Sequence, residues 1–138
     1  MTTKLSIPAD LEEALRPALA GTDLRLLVLF GSRARGRATV KSDLDLALLC
    51  AGPADLEAWH MTLAPLIGTD RLDLVDLRRA GSLLAFEVAR TGRPVFERGP
   101  GTFHAFQALA SRRYADTRKL RDAQRRAIRV FLAQHGLE

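Results

Sequence analysis

The sequence predicts an α/β (α+β) fold in which a small mixed sheet is flanked by helices and followed by a long C-terminal helix. Apolar runs typical of strands alternate with amphipathic segments typical of helices. Glycine and proline separate these segments, as at Gly52-Pro53 and at Gly92. The chain has 138 residues, which suffices for one domain with a hydrophobic core.

Each element has its own signal in the sequence. Pro8 and Asp10 open the first helix, and Gly21 closes it. Ser82 is the expected N-cap of the third helix. The stretch 31–42 is rich in Gly, Arg and Ser and must contain a turn. The expected helices span about residues 9–20, 54–67, 82–91 and 102–134, and the expected strands span 23–30, 43–50, 70–77 and 93–97.

Composition and charge narrow the class of protein. The formal net charge of +5 favours an anionic partner such as a nucleotide, a nucleic acid or an acidic protein. No apolar run approaches the ~20 residues of a membrane span, and the N-terminus lacks the pattern of a signal peptide. Cys50, the single cysteine, lies in an apolar run and is expected in the core. These observations predict a cytoplasmic protein.

Two aspartates stand where the second strand should enter the core. Because side chains alternate along a strand, Asp43 and Asp45 share one face, while Leu44 and Leu46 lie on the other. Two neighbouring carboxylates repel unless a cation lies between them, and Mg²⁺ prefers oxygen ligands of this kind. The alternative is a solvated strand end whose aspartates cap a turn.

The turn before these aspartates carries residues suited to phosphate. Gly31 directly follows a strand, where a glycine lets the backbone approach a ligand closely. Ser32 adds a hydroxyl donor, and Arg33 and Arg35 add cations suited to a triphosphate. The alternative is a surface turn with solvated arginines.

Taken together, these motifs resemble a known signature. "GSRARG" followed by "SDLDLAL", with ten residues between Ser32 and Asp43, resembles the GS-x10-D-x-D pattern of the polymerase-β-type nucleotidyltransferase superfamily. The resemblance is closest to its minimal nucleotidyltransferase (MNT) branch, since "RLDLVDLRRA" and "FEVARTGRPVFER" are similar to the later motifs of that branch. It implies a polymerase-β-like fold, with a nucleotidyltransferase core over residues 1–98 and a helical extension over 99–138.

The resemblance also implies roles for the residues of the first two motifs. Gly31 and Ser32 would hold the nucleoside triphosphate, with ATP the usual choice in the family. Asp43 and Asp45 would bind two Mg²⁺ ions.

A third carboxylate would help to hold metal and would orient or deprotonate the attacking hydroxyl. Asp73 and Asp76 are both candidates, and they face opposite sides of one strand because they lie three residues apart. The MNT pattern favours Asp73. Asp76 is then expected to end the strand or to pair with Arg78 or Arg79.

For short chains of this branch, the resemblance implies an antitoxin. Such proteins transfer AMP from ATP to a tyrosine of a partner, a HEPN-domain ribonuclease toxin. One alternative is a nucleotidyltransferase for a small molecule such as an antibiotic, although the chain lacks an extra substrate domain. The other alternative is an antitoxin that neutralises its toxin by binding alone.

The long helix has an apolar stripe at near-helical spacing that either covers the sheet or docks a partner. Its other face is basic, and that face is either solvated or docks an acidic partner. Direct nucleic-acid binding is not favoured, because no aromatic residues are interleaved among the arginines for base stacking. The stripe comprises Phe103, Phe106, Leu109, Leu120, Ile128 and Phe131, and the basic face comprises Arg112, Arg118, Lys119, Arg121, Arg125, Arg126 and Arg129.

Overall fold

The computed structural model describes residues 11–31 and 43–136 of the chain. Every predicted helix and strand is confirmed, and the described ends differ from the expected ones by at most two residues. The helices are α1 (Leu11–Leu19), α2 (Leu56–Ile67), α3 (Ser82–Thr91) and α4 (Thr102–Gln134), and the strands are β1 (Leu24–Phe30), β2 (Leu44–Cys50), β3 (Leu72–Asp76) and β4 (Arg93–Glu97).

The four strands form one mixed sheet in the order β3-β2-β1-β4. The central strand β1 runs antiparallel to β2 and to β4, whereas β2 and β3 run parallel. Parallel neighbours need a long crossover connection, and α2 supplies it between β2 and β3. The prediction of a small mixed sheet flanked by helices is therefore confirmed.

The two faces of the sheet pack against different helices. On the first face, Leu44, Leu46 and Leu48 are fully or almost fully buried in a core that includes residues of α1 and α2. On the second face, Ala47 packs in a separate core with Val88 of α3 and further residues of α4. The alternation of side chains along β2 thus feeds two hydrophobic cores from one strand.

Two further residues are buried in the first core, and one of them, Cys50, confirms its predicted place. Trp59 of α2 is 9% exposed, and Cys50 is 1% exposed. Burial, and after it the nearby charge of Asp23, raise the pKa of the Cys50 thiol to about 11. Within the described residues, no helix combines the length and the apolar character needed to cross a bilayer.

The expected N-cap of α3 is wrong by one residue. The capping position is Gly81, which has an extended backbone and makes no side-chain capping bond. Ser82 is instead the first helical residue, and its Oγ lies 3.2 Å from Oγ1 of Thr117 on α4. The serine hydroxyl therefore ties two helices together rather than closing the end of one. Thr117 lies 35 residues away in sequence, so local capping rules did not predict this contact.

Helix α4 packs on the core only through its first turns. Phe106 and Ala110 are buried on the second face of the sheet, and Tyr114 stacks on Phe86 of α3 with ring centroids 4.1 Å apart. Farther along, Leu120 and Phe131 are more than half exposed. The first half of the predicted apolar stripe thus covers the sheet, whereas the second half leaves its apolar side chains in solvent.

Part of the basic face of α4 is satisfied within the helix itself. The guanidinium of Arg121 lies over the Tyr114 ring at 4.0 Å and donates to Thr117 Oγ1. Arg125 forms an ion pair with Asp122 at 3.4 Å. Intrahelical partners account for these two arginines, and docking of an acidic partner on this face stays a prediction.

Candidate active site

A pair of carboxylates lies on the second face of the sheet, at the end where β2 and β3 begin. The parallel register places Asp45 of β2 directly beside Asp73 of β3. The two side chains are in hydrogen-bond contact, and Asp45 is half-buried while Asp73 is exposed. Burial raises the pKa of Asp45, and the charge and hydrogen bond of Asp73, followed by the charge of Asp43, raise it further. Like charges are thus concentrated at one point.

Gly31 forms one wall of this site. It follows β1 immediately, and its neighbour Phe30 is the register partner of Asp45. Its φ of +78° lies in the left-handed region, which favours glycine. A Cβ at this position would also overlap the Asp45 carboxylate. Any larger residue would therefore strain the turn and displace a carboxylate of the site.

Asp43 lies at the edge of the site and has a cationic partner. Its Oδ1 accepts from Nε of Arg71 at 3.2 Å, and both side chains are about half exposed. The backbone N–H of Leu44 also donates to the carbonyl oxygen of Arg71 at 2.9 Å. Arg71 was not among the site residues predicted from the sequence. Its signal was its place two residues before Asp73, because a parallel register sets it beside Asp43, two residues before Asp45.

Asp76 belongs to the opposite face of the sheet. It is 5% exposed, and its carboxylate accepts from the backbone N–H groups of Ala54 at 3.1 Å and Arg78 at 3.0 Å. The guanidinium of Arg79 lies 3.8 Å away. The predictions that Asp76 ends β3, faces away from Asp73 and pairs with one of the two following arginines are confirmed. Its hydrogen bonds stabilise the turn after β3 and the start of the crossover.

The donor set suits a hard divalent cation, although the three aspartates do not converge. Carboxylate oxygens are the ligands that Mg²⁺ prefers, and a cation would offset the repulsion between Asp45 and Asp73. Within residues 11–31 and 43–136, no three acidic, histidine or cysteine side chains surround a common metal position. Asp43 is directed to Arg71 instead. Of the three predicted ligands, the structure thus brings together Asp45 and Asp73, and magnesium binding stays a prediction.

The other residues predicted to bind triphosphate, Ser32, Arg33 and Arg35, lie outside the described residues. Among the predicted phosphate-binding residues, Gly31 is the one that the structure places, and it lies against the carboxylate pair. The phosphate-binding roles of Gly31, Ser32, Arg33 and Arg35 stay predictions.

The mixed sheet presents adjacent carboxylates beside a glycine turn, an arrangement that two-metal phosphoryl transfer can use. Residues 13–100 match the family described as "Polymerase beta, Nucleotidyltransferase". The chain belongs to this family.

Two named proteins are similar to this chain in sequence. The chain is 30% identical to the protein adenylyltransferase MntA of Aphanizomenon flos-aquae, with 99% of this chain and 100% of that protein covered. It is 37% identical to MntA of Shewanella oneidensis over 76 residues, which cover 53% of this chain and 54% of that protein.

Two solved structures contain chains that are similar to this one in fold. A toxin–antitoxin crystal structure with AMP-PNP contains a chain that matches with a TM-score of 0.69 and 29% identity, covering 85% of this chain and 97% of that chain. A complex of a tri-AMPylated Shewanella oneidensis HEPN toxin with its MNT antitoxin matches with a TM-score of 0.61 and 28% identity, covering 84% and 90%.

Proposed function

We propose that this chain is an antitoxin that transfers AMP from ATP to a tyrosine hydroxyl of a HEPN-domain toxin in the cytoplasm and thereby inactivates it. The observation that carries the proposal is the Asp45–Asp73 pair beside Gly31, which has the charge that nucleotidyl transfer requires. The relatives support the choice of reaction, since one that is matched over 99% of this chain is a protein adenylyltransferase, and a solved chain matched over 85% of it belongs to a toxin–antitoxin complex. Residues 1–98 would form the catalytic core, and residues 99–138 the helical extension.

The reaction forms one bond and breaks another at the same phosphorus atom. The tyrosine oxygen attacks the α-phosphorus of ATP, and the bond from that phosphorus to the α–β bridging oxygen breaks. Pyrophosphate leaves with the bonding electrons, and the product is a phosphodiester between AMP and tyrosine. The tyrosine proton must go to a nearby base. The Asp73 carboxylate is exposed at the strand surface and is our candidate for that base.

Magnesium would be held by Asp43, Asp45 and Asp73, as two ions. When bound, Mg²⁺ neutralises phosphate charge and lowers the pKa of the attacking hydroxyl. Asp45 is half-buried and would fix the position of the site, because its strand is held between β1 and β3. Arg71 holds Asp43 by an ion pair and would compete with metal for that carboxylate.

The triphosphate would lie along the turn that follows β1. Gly31 permits close approach of the backbone there, and the following Ser32 would donate to phosphate oxygens. Arg33 and Arg35 would supply compensating positive charge. The negatively charged carboxylates of the site repel the triphosphate, so these cations and Mg²⁺ are needed for ATP to bind.

Replacement of Asp73 by Asn tests the proposal. The amide keeps the size of the side chain but removes the charge that accepts the proton and helps to hold metal. We expect Asp73→Asn to fold and to bind ATP within a few-fold of the original chain. AMP transfer should fall on the order of 10²-fold or more, as is typical when a positioned base is removed. The assay follows α-labelled ATP onto the co-purified toxin, with and without Mg²⁺.

Asp116→Asn is the matched control, because Asp116 is an exposed acid on α4 away from the site. It should transfer AMP at the original rate. If Asp73→Asn retains full activity, the assignment of the base is wrong. If the unchanged chain binds toxin but labels neither the toxin nor any other acceptor, neutralisation by binding alone replaces the proposal. If it labels an aminoglycoside instead, the small-molecule alternative replaces it.

A further inference from the structure

A second concave site lies at the other end of the same sheet face. It is a groove of about 630 Å³ between the first turns of α4, the start of β1, the end of β2 and the turn after β3. We call it the arginine groove. It is defined by the rim residues Arg25, Arg78 and Arg113 and by the apolar residues Leu49, Leu77 and Leu109.

The arginine groove is separate from the carboxylate site. Leu49 lies four residues after Asp45 on β2, so the two side chains share a face at a distance of about 13 Å, given the ~3.3 Å rise per strand residue. Neither Asp45 nor Asp73 lines the groove. A ligand in the groove would therefore leave the catalytic end of the sheet open to ATP.

The charges of the groove lack compensation. Arg25, Arg78 and Arg113 are exposed, and across residues 11–31 and 43–136 no hydrogen bond or ion pair engages their guanidinium groups. Three cations around one cavity repel one another, and an anionic ligand would relieve that repulsion.

Arg98 also lines the groove, but its guanidinium is occupied. It donates to the carbonyl oxygens of Leu19 and Leu24 and stabilises the end of α1. Arg98 therefore forms part of the wall, and the three rim arginines supply the available charge.

The floor of the groove is apolar. Leu77 is 3% exposed, whereas Leu109 on α4 is 48% exposed and offers its surface to a ligand. An apolar floor below a cationic rim fits a peptide segment that carries one apolar side chain between acidic ones. A nucleic acid fits less well, because Phe106, the aromatic residue of the lining, is only 8% exposed and offers no face for base stacking.

We propose that the arginine groove is an exosite that binds an acidic segment of the toxin, an inference that rests on the proposed function. An enzyme that modifies one tyrosine of a folded protein has few contacts at the reacting hydroxyl. Binding energy gained at a remote surface can then position that hydroxyl at the α-phosphate. The groove lies on the same sheet face as the carboxylate site, and a short toxin segment could span the distance between the two.

The test compares two triple charge reversals that change net charge equally. The first is Arg25→Glu, Arg78→Glu and Arg113→Glu, in the groove. The second is Arg16→Glu, Arg90→Glu and Arg93→Glu, at exposed arginines of α1, α3 and β4 that do not line the groove. Affinity for the purified cognate toxin is measured by titration calorimetry without ATP at several salt concentrations, and ATP binding is measured separately.

We expect the groove reversals to weaken toxin binding at least tenfold and to flatten its salt dependence. ATP affinity should stay within twofold, and the control reversals at Arg16, Arg90 and Arg93 should change toxin binding by less than threefold. Leu109→Ala should weaken toxin binding without charge change, whereas Leu83→Ala, at a leucine on α3 that is 60% exposed, should not.

Equal losses from the two triple variants would overturn the proposal, since they would reflect net charge alone. Unchanged toxin binding by the groove variant would also overturn it. These outcomes leave AMP transfer by the unchanged chain intact, so they are distinguishable from failure of the proposed function. That failure would appear as absent transfer to a toxin that still binds.

Discussion

The two faces of the sheet treat their aspartates in opposite ways. On the face covered by α1 and α2, Asp76 is buried, and backbone N–H groups and an arginine satisfy its carboxylate. On the face shared with α3 and α4, Asp45 and Asp73 lie against each other, and their mutual repulsion is left for a ligand to relieve. The comparison shows that the alternation of side chains along β2 and β3 places a structural carboxylate on one face and the carboxylates of the candidate site on the other. Removing a buried side chain of the first face should therefore cost folding, and changing a carboxylate of the second should cost transfer.

The largest expected effect tests the sheet face that is covered by α1 and α2. Leu46 is fully buried in the first core, and Leu46→Ala leaves a cavity there. We expect a loss of about 2–5 kcal/mol in the free energy of unfolding. Urea denaturation measures it, and transfer per folded molecule should persist at low temperature. Leu120→Ala, at a side chain that is 60% exposed, is the control and should change stability by less than about 0.5 kcal/mol.

The next largest expected effect tests the sheet face that carries Asp45 and Asp73. Asp45→Asn should lower AMP transfer on the order of 10²-fold, because the site loses a charge that would hold metal. In EDTA, its free energy of unfolding should equal or exceed that of the original chain, since a like-charge contact has been removed. Activity assays and urea denaturation of the same preparation check the two signs together. Loss of stability in EDTA would show that the contact with Asp73 is structural.

The smallest effect separates the two aspartates of β3. Asp76→Asn places an amide N–H₂ where the carboxylate accepts from backbone donors, so a buried hydrogen bond is lost. We expect about 1–3 kcal/mol less stability with little change in transfer per folded molecule. Thermal unfolding and label transfer measure these quantities. An inactive but stably folded Asp76→Asn would exchange the roles of Asp73 and Asp76 and contradict the comparison.

The sequence predicted the elements and the strand faces of the aspartates for a simple physical reason. Alternation along a strand is fixed by backbone geometry, so the face of Asp45 and the opposite orientations of Asp73 and Asp76 follow from spacing. The pairing of Asp43 with Arg71 does not, because it depends on the register between two strands that α2 separates.

The arginine groove was beyond sequence analysis for a related reason. Arg25, Arg78 and Arg113 come from a strand, a turn and a helix that are distant in sequence. No periodicity connects such residues, and each alone is typical of a solvated surface arginine. Their convergence is a property of the tertiary fold.

The parallel pairing of β2 with β3 has a consequence for the order of folding. β1 and β2 are neighbours in sequence and in the sheet, so they can pair early as a local antiparallel unit. β3 joins later, because the chain must first pass through α2 and close a longer loop. An incompletely folded chain therefore has Asp45 without Asp73. The contact between the two carboxylates is thus a long-range one, and a chain in which only β1 and β2 have paired lacks it.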